Sequence, residues 1–262
     1  MHASAVPPLT SPPRHDTLDA FRGLAIVWMT GFHFCFDLNA FGYIRQNFLG
    51  DPFWTSQRTA IVSLFLFAAG FGQAIAVRQG QGWGRFWRRW AQVAGCAVLV
   101  SAGSYWMYPK SYIHFGVLHG LAVMLIVARL SASWGRWLWP AGLLAITMPL
   151  IAKSGHFALG MPEFSSIFDG KALNWLGLVS DMRTARQDLR TEDYVPVFPW
   201  LGVVWWGLAA GRWVQTERPR WLSGASVVGV QPLAFLGRWS LTWYMLHQPV
   251  MIGAFMAVAA LR

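Results

Sequence analysis

Long apolar stretches, separated by short basic or glycine-rich segments, follow one another from the first quarter of the chain to its end. A membrane-spanning helix needs about 20 mainly apolar residues, because each residue rises about 1.5 Å through a hydrocarbon core about 30 Å thick. Seven stretches meet that need: 18–38, 58–77, 86–105, 112–129, 134–152, 195–214 and 232–261. The last is long enough to tilt or break. Two more apolar stretches, 172–180 and 221–230, are too short to span and read as re-entrant or interfacial, which extends the count from seven to nine. The pattern predicts an all-α fold: a polytopic transmembrane helical bundle over 16–262. A Pro- and Ser-rich tail at 1–15, read as disordered and cytoplasmic, precedes it without the apolar region of a signal peptide.

Composition supports lipid as the solvent. The chain is 55% hydrophobic and 12% charged, and a soluble domain needs roughly twice that charged fraction to wet its surface. The formal net charge is +10, but the 21 Lys and Arg sit between apolar runs and do not gather on one face. That spread argues against nucleic acid as a partner and for membrane topology. Cys35 and Cys96 lie inside apolar stretches with no metal-ligand spacing, and read as small buried hydrophobes; no metal is expected.

Counting basic residues orients the bundle. With the N-terminus inside, twelve of the 21 Lys and Arg fall on the cytoplasmic side. The short loops opposite hold three: Arg45, Arg58 and Lys110. The bias predicts N-in and C-out. The long loop at 153–194, with Glu163, Asp169, Asp181, Asp188, Glu192 and Asp193, then lies outside the cytoplasm.

Ionisable residues inside such helices are expensive and mark functional sites. His33 and Asp37 are four apart, so on a helix they share a face. From Leu18 the helix climbs about 22 Å to His33, into the outer part of the membrane. A carboxylate orienting one ring nitrogen frees the other to take a proton from a hydroxyl or amine; the same pair also serves as a buried His satisfied near a helix end. His119 and His114 have a matching predicted depth, so three imidazoles converge on an outer cavity or each caps a helix. His247 precedes Pro249, which frees a backbone carbonyl, so it either repairs the helix or handles substrate. Asp19 and Arg22 are three apart and pair as an anchor, or Arg22 binds an entering anion. Between the second and third helices, Arg78, Arg85, Arg88 and Arg89 lie among tryptophans. They read as interfacial anchoring, or as a phosphate and purine site. No phosphate loop, HExxH or GxSxG is present.

Five segments in order, RHDTLDAFRGLAIVWMTGFHFCFDL, RTAIVSLFLFAAGFG, IHFGVLHGLAV, DYVPVFPWLGVVWWGLAAG and LAFLGRWSLTWYMLHQPV, resemble bacterial members of the heparan-alpha-glucosaminide N-acetyltransferase catalytic-domain family. The resemblance implies a membrane acyltransferase of the bacterial inner membrane, taking acetyl-CoA or a related thioester from the cytoplasm and acylating a sugar or glycan across the membrane. The family's lysosomal member has its working histidine in the loop after the first helix, and 39–57 here contains none. Related membrane acyltransferases place one near the outer end of that helix, which implies His33 as the catalytic residue and Asp37 as its orienting partner. Arg58, His114, His119 and His247 become substrate-binding candidates, and Arg22, Arg85, Arg88 and Arg89 would hold the thioester's phosphates. Membrane lipid is a partner, and a homodimer stays open. Two other classes compete: a transporter or export partner for a lipid or glycan with the histidines as a proton relay, and a non-catalytic scaffold.

Overall fold

The computed structural model describes residues 15–107, 109–159, 168–169, 172–179, 193–222 and 230–261, with backbone alone for 154–159. Among them are eight α-helices and no strand. They are α1 (Asp16–Ala40), α2 (Pro52–Arg78), α3 (Trp83–Met107), α4 (Val117–Leu130), α5 (Leu138–Leu159), α6 (Val197–Glu217), α7 (Val230–Arg238) and α8 (Ser240–Ala260). The tail at 1–14, most of the long loop with Glu163, Asp181, Asp188 and Glu192, and 223–229 of the second short apolar stretch lie outside the described residues. The first short stretch contains a 3-10 turn, Asn174–Leu176.

Local chemistry sets the helix ends. Asp16 and Asp19 occupy the first turn of α1, where negative charge suits the helix dipole. Asp51 caps α2 by accepting the Phe53 N–H at 2.8 Å, with Pro52 in the first turn. α4 begins at Val117, later than the apolar pattern suggests, because His119 Nδ1 accepts the Gly116 N–H at 3.2 Å and fixes the start there. The span expected at 134–152 is displaced along the chain: 132–137 forms a 3-10 segment interrupted at Gly135 (φ +59°), and α5 follows it. The 232–261 stretch does break, at Trp239, into α7 and α8.

Glycines bring the backbones into contact. A Cβ on Gly70 of α2 would stand 2.0 Å from the Val204 carbonyl oxygen of α6, and one on Gly207 of α6 2.1 Å from that of Phe67. Such small-residue contacts are how helices pack when lipid removes the hydrophobic drive between them. Leu66, Met124, Leu138, Val204 and Leu208 fill the core alongside. α7 crosses the first turns of α1 by the same device, with Gly23 against Leu233 and Gly237 against Asp19. Arg238 then donates to Asp16 at 2.7 Å. With α7 held there, α8 turns to run beside α1 in the same direction. Trp243 meets Thr30, Gln248 meets Asp37, and Phe255 packs on Phe34 and Phe41.

Among the described residues, α2 is long and apolar enough to cross a membrane, and Val117–Leu130 with Ala132–Lys153 pass together although bent by 102°. Length and composition thus give one span, or two with the bent pair, against the seven expected. The other helices carry charges, His, Gln and many Trp, which lower their hydropathy.

The segment entering α6 is fastened at Asp193, outside the predicted spans. Its carboxylate faces the Val117 N–H at 3.4 Å and the Tyr244 hydroxyl at 3.5 Å, and Arg58 donates to the Tyr194 carbonyl at 3.2 Å. Burial pushes the Asp193 carboxyl up from 3.8 to about 6, against the opposing pull of Arg58, Val117 and Tyr244.

Two predictions follow from this packing. Gly70→Ala or Gly207→Ala should destabilise the protein by about 1–3 kcal/mol through overpacking, read as a lower thermal midpoint in detergent. Gly103→Ala in α3, where nothing lies within 4 Å, should be neutral or slightly stabilising; equal tolerance at all three sites would refute the close approach. Asp193 binds its proton more tightly folded than unfolded, so its contribution to stability is complete below about pH 4 and lost as pH rises through about 6. The wild-type midpoint should therefore fall relative to that of Asp193→Asn between about pH 4 and about pH 7. A constant difference across that range would contradict the assignment.

Candidate functional site

His33 on α1 and His247 on α8 meet at 2.8 Å, Nδ1 to Nε2. The backbone settles which nitrogens carry protons. His247 Nδ1 lies 2.8 Å from the Tyr244 carbonyl and 3.1 Å from that of Trp243, both pure acceptors, so it carries the hydrogen. With both rings neutral, His247 Nε2 is then an acceptor and His33 Nδ1 the donor to it. The lone pair of His33 is left on Nε2, which makes no hydrogen bond among the described residues. The pair is thus a polarised chain: backbone carbonyl, His247, His33, free lone pair. His247 bonds the Trp243 and Tyr244 carbonyls of its own helix, not the Met245 carbonyl that Pro249 leaves without an N–H, and reaches across to α1.

Asp37 does not orient His33. Its Oδ1 accepts from Gln248 Nε2 at 2.7 Å, so the carboxyl group, like the imidazole, turns to α8 and not along its own helix. Arg58 does not pair with Asp37 either; it serves the Tyr194 carbonyl, and its charge acts on both His33 and Asp193. His119 is spent on structure. Its Nδ1 caps α4 and its Nε2 lies 3.1 Å from Ser101 Oγ, which itself donates to the Ile113 carbonyl at 2.6 Å. His114 sits in the same α3–α4 connection, beside the Tyr112 ring. These two histidines do not join the His33 pair, because α4 starts only at Val117. Among the described residues no three His, Cys, Asp or Glu side chains converge as metal ligands.

A cavity of about 750 Å³ opens between α1, α2, α3, α4 and the start of α8. Its α2 lining runs from Phe65 to Ala76, about 16 Å of helix rise. Arg85 and Arg89, from the first turns of α3, charge one end. Arg22 reaches half-way along, where its guanidinium fills the space beside Gly72: a Cβ there would stand 2.6 Å from Nη2. Asp19 holds Arg22 at 3.0 Å, the ion pair expected from spacing. Arg88 points away from the cavity and is exposed. Trp90 lines the wall with its indole N–H given to the Ala122 carbonyl at 2.9 Å. Phe65, Leu118 and Tyr244 line the part away from the arginines, and neither His33 nor His247 is among the lining residues.

Tyr244 went unnoticed in the sequence, yet it links the two halves of the site. Tyr244 lines the cavity, its ring lies 6.0 Å from the His247 ring, its carbonyl holds His247, and its hydroxyl faces Asp193. Only a Tyr three residues before a His in an apolar run could have pointed to it.

The sequence profile described as heparan-alpha-glucosaminide N-acetyltransferase, catalytic, matches residues 14–249, from just before α1 to the middle of α8. No curated protein and no solved structure gives a significant match. The match takes in the histidine pair, Asp37 and Gln248, and the whole cavity, and by it the chain belongs to the heparan-alpha-glucosaminide N-acetyltransferase catalytic-domain family, a family of membrane acetyltransferases.

Proposed function

We propose that the protein is a membrane-embedded acyltransferase that moves an acetyl group from cytoplasmic acetyl-CoA to a sugar or glycan acceptor on the opposite side, with His33 as general base. The cavity carries this reading: arginines at one end and half-way along, and at the other a tyrosine whose own helix turn holds the histidine pair. Arg85 and Arg89 suit phosphates at the mouth and Arg22 suits one deeper, because guanidinium forks match phosphate oxygens. The apolar inner half suits the thioester arm.

Integral membrane placement has support beyond the family. Large apolar side chains face outward from α3, α5 and α8: Leu99 is 63% exposed, Leu150 68% and Val250 65%. Soluble monomers rarely expose apolar surface on that scale. The basic loops favour an N-in arrangement, in which the arginine end of the cavity would face the cytoplasm.

In the reaction, the lone pair on His33 Nε2 takes a proton from the acceptor hydroxyl or amine as its oxygen or nitrogen attacks the thioester carbonyl. The carbon–sulfur bond breaks, the acetyl group stays on the acceptor, and the proton passes from His33 to the departing sulfur to give the free thiol. His247 holds the His33 ring in the tautomer this requires and accepts its Nδ1–H while the ring is charged.

With radiolabelled acetyl-CoA and a panel of amino sugars and glycans, His33→Gln should lose about 10²–10⁴-fold in turnover, the worth of a general base, while still binding CoA. Wild-type turnover in that variant would remove His33 from this role. Arg85→Ala and Arg89→Ala should each weaken CoA binding by about tenfold or more, as expected for a lost charge-assisted hydrogen bond, whereas Arg88→Ala should not. Equal losses at Arg88 and Arg89 would move the phosphates out of this cavity.

A further inference from the structure

Asp37 is 3% exposed, and among the described residues no cationic side chain pairs with it. One neutral donor, Gln248 Nε2, reaches its Oδ1. Asp37 Oδ2 and Gln248 Oε1 are both buried and both lack a partner. An ionised carboxylate in such a place is poorly compensated, and each unpartnered oxygen adds a desolvation cost. The two orphaned oxygens belong to groups already joined by a hydrogen bond, so one proton serves both. A proton on Asp37 Oδ2 would supply the donor, and the unpartnered Gln248 Oε1 the acceptor, for a second bond between the same two groups.

We infer that Asp37 is held as a neutral carboxylic acid in a cyclic pair with Gln248, and that this pair positions the two histidines without exchanging protons with substrate. Asp37 follows His33 by one turn of α1, and Gln248 follows His247 directly on α8. The ring therefore sets the register of the two helices next to the 2.8 Å contact between the imidazoles. Pro249, the next residue, brings no N–H to the backbone of α8, so a side-chain tie to α1 steadies the helix where its own ladder is interrupted.

The positioning role rests on the acetyl-transfer reading, whereas the protonation state does not. In purified full-length protein, the infrared difference between wild type and Asp37→Asn should contain the carbonyl stretch of an un-ionised carboxylic acid, shifting in D2O; its absence would overturn the neutral acid. Asp37→Asn keeps both bonds of the ring, with an amide N–H in place of the O–H, so acetyl transfer should stay within about threefold of wild type. Asp37→Leu and Gln248→Leu break the ring and should lower kcat by about tenfold or more, with KM for acetyl-CoA little changed. The exchanged double variant, Asp37→Asn with Gln248→Glu, rebuilds the pair in reverse and should recover activity. An Asp37→Asn protein that folds with the wild-type midpoint but does not turn over would overturn the inference, as would sodium-dependent activity that this variant loses, since a cation would then bridge the oxygens. If wild type transfers acetyl to no acceptor, the functional proposal fails, and the infrared result still decides the state of Asp37.

Discussion

The contact between His33 and His247 is the constraint around which the rest is arranged. It joins the first and last described helices across 214 residues of sequence, and it needs a hydrogen on one facing nitrogen and a lone pair on the other. Tyr244's carbonyl selects the tautomer of His247, and His247 selects that of His33. For the rings to meet, α8 must run beside α1 at close range, and the turn at Trp239 must be held firmly. The glycine contacts of α7 with α1 and the Arg238–Asp16 ion pair do this at the far end of the two helices, Asp37 and Gln248 at the near end.

Helix existence was largely legible in the amino-acid sequence, because uninterrupted apolar runs leave few alternatives; α1, α2, α3 and α6 lie close to where the runs place them. The start of α4 and the place of the break after Arg238 were not, because they depend on a side-chain cap and on a contact with α1. The site divides along the same line. His33 stands out by its place in an apolar run, and Arg85 and Arg89 by their basic context. The partner of His33 was misread because spacing favours the neighbour one turn away, whereas the true partner comes from the other end of the chain. Arg88 sits about 100° round the helix from Arg89, a phase that matters only once the cavity wall is known.

The distribution of polarity reverses that of a water-soluble domain. Outward surfaces of α3, α5 and α8 carry Leu, Val and Met, while His, Arg, Gln, Asp and Tyr turn inward to a cavity and to one another. With little water to satisfy them, such groups find partners on other helices, and few alternatives exist for each. That scarcity makes a connected set of polar contacts from Asp193 through Tyr244 to His33 possible in a chain with so few charges.

Gly72 has no side chain to speak for it, yet it makes the room in which the Arg22 guanidinium rests beside the cavity. A single methyl would stand 2.6 Å from Nη2 of Arg22 and force the tip of that side chain to shift. A glycine at this place leaves the guanidinium room beside the cavity wall, and any larger residue would compete with it for that space.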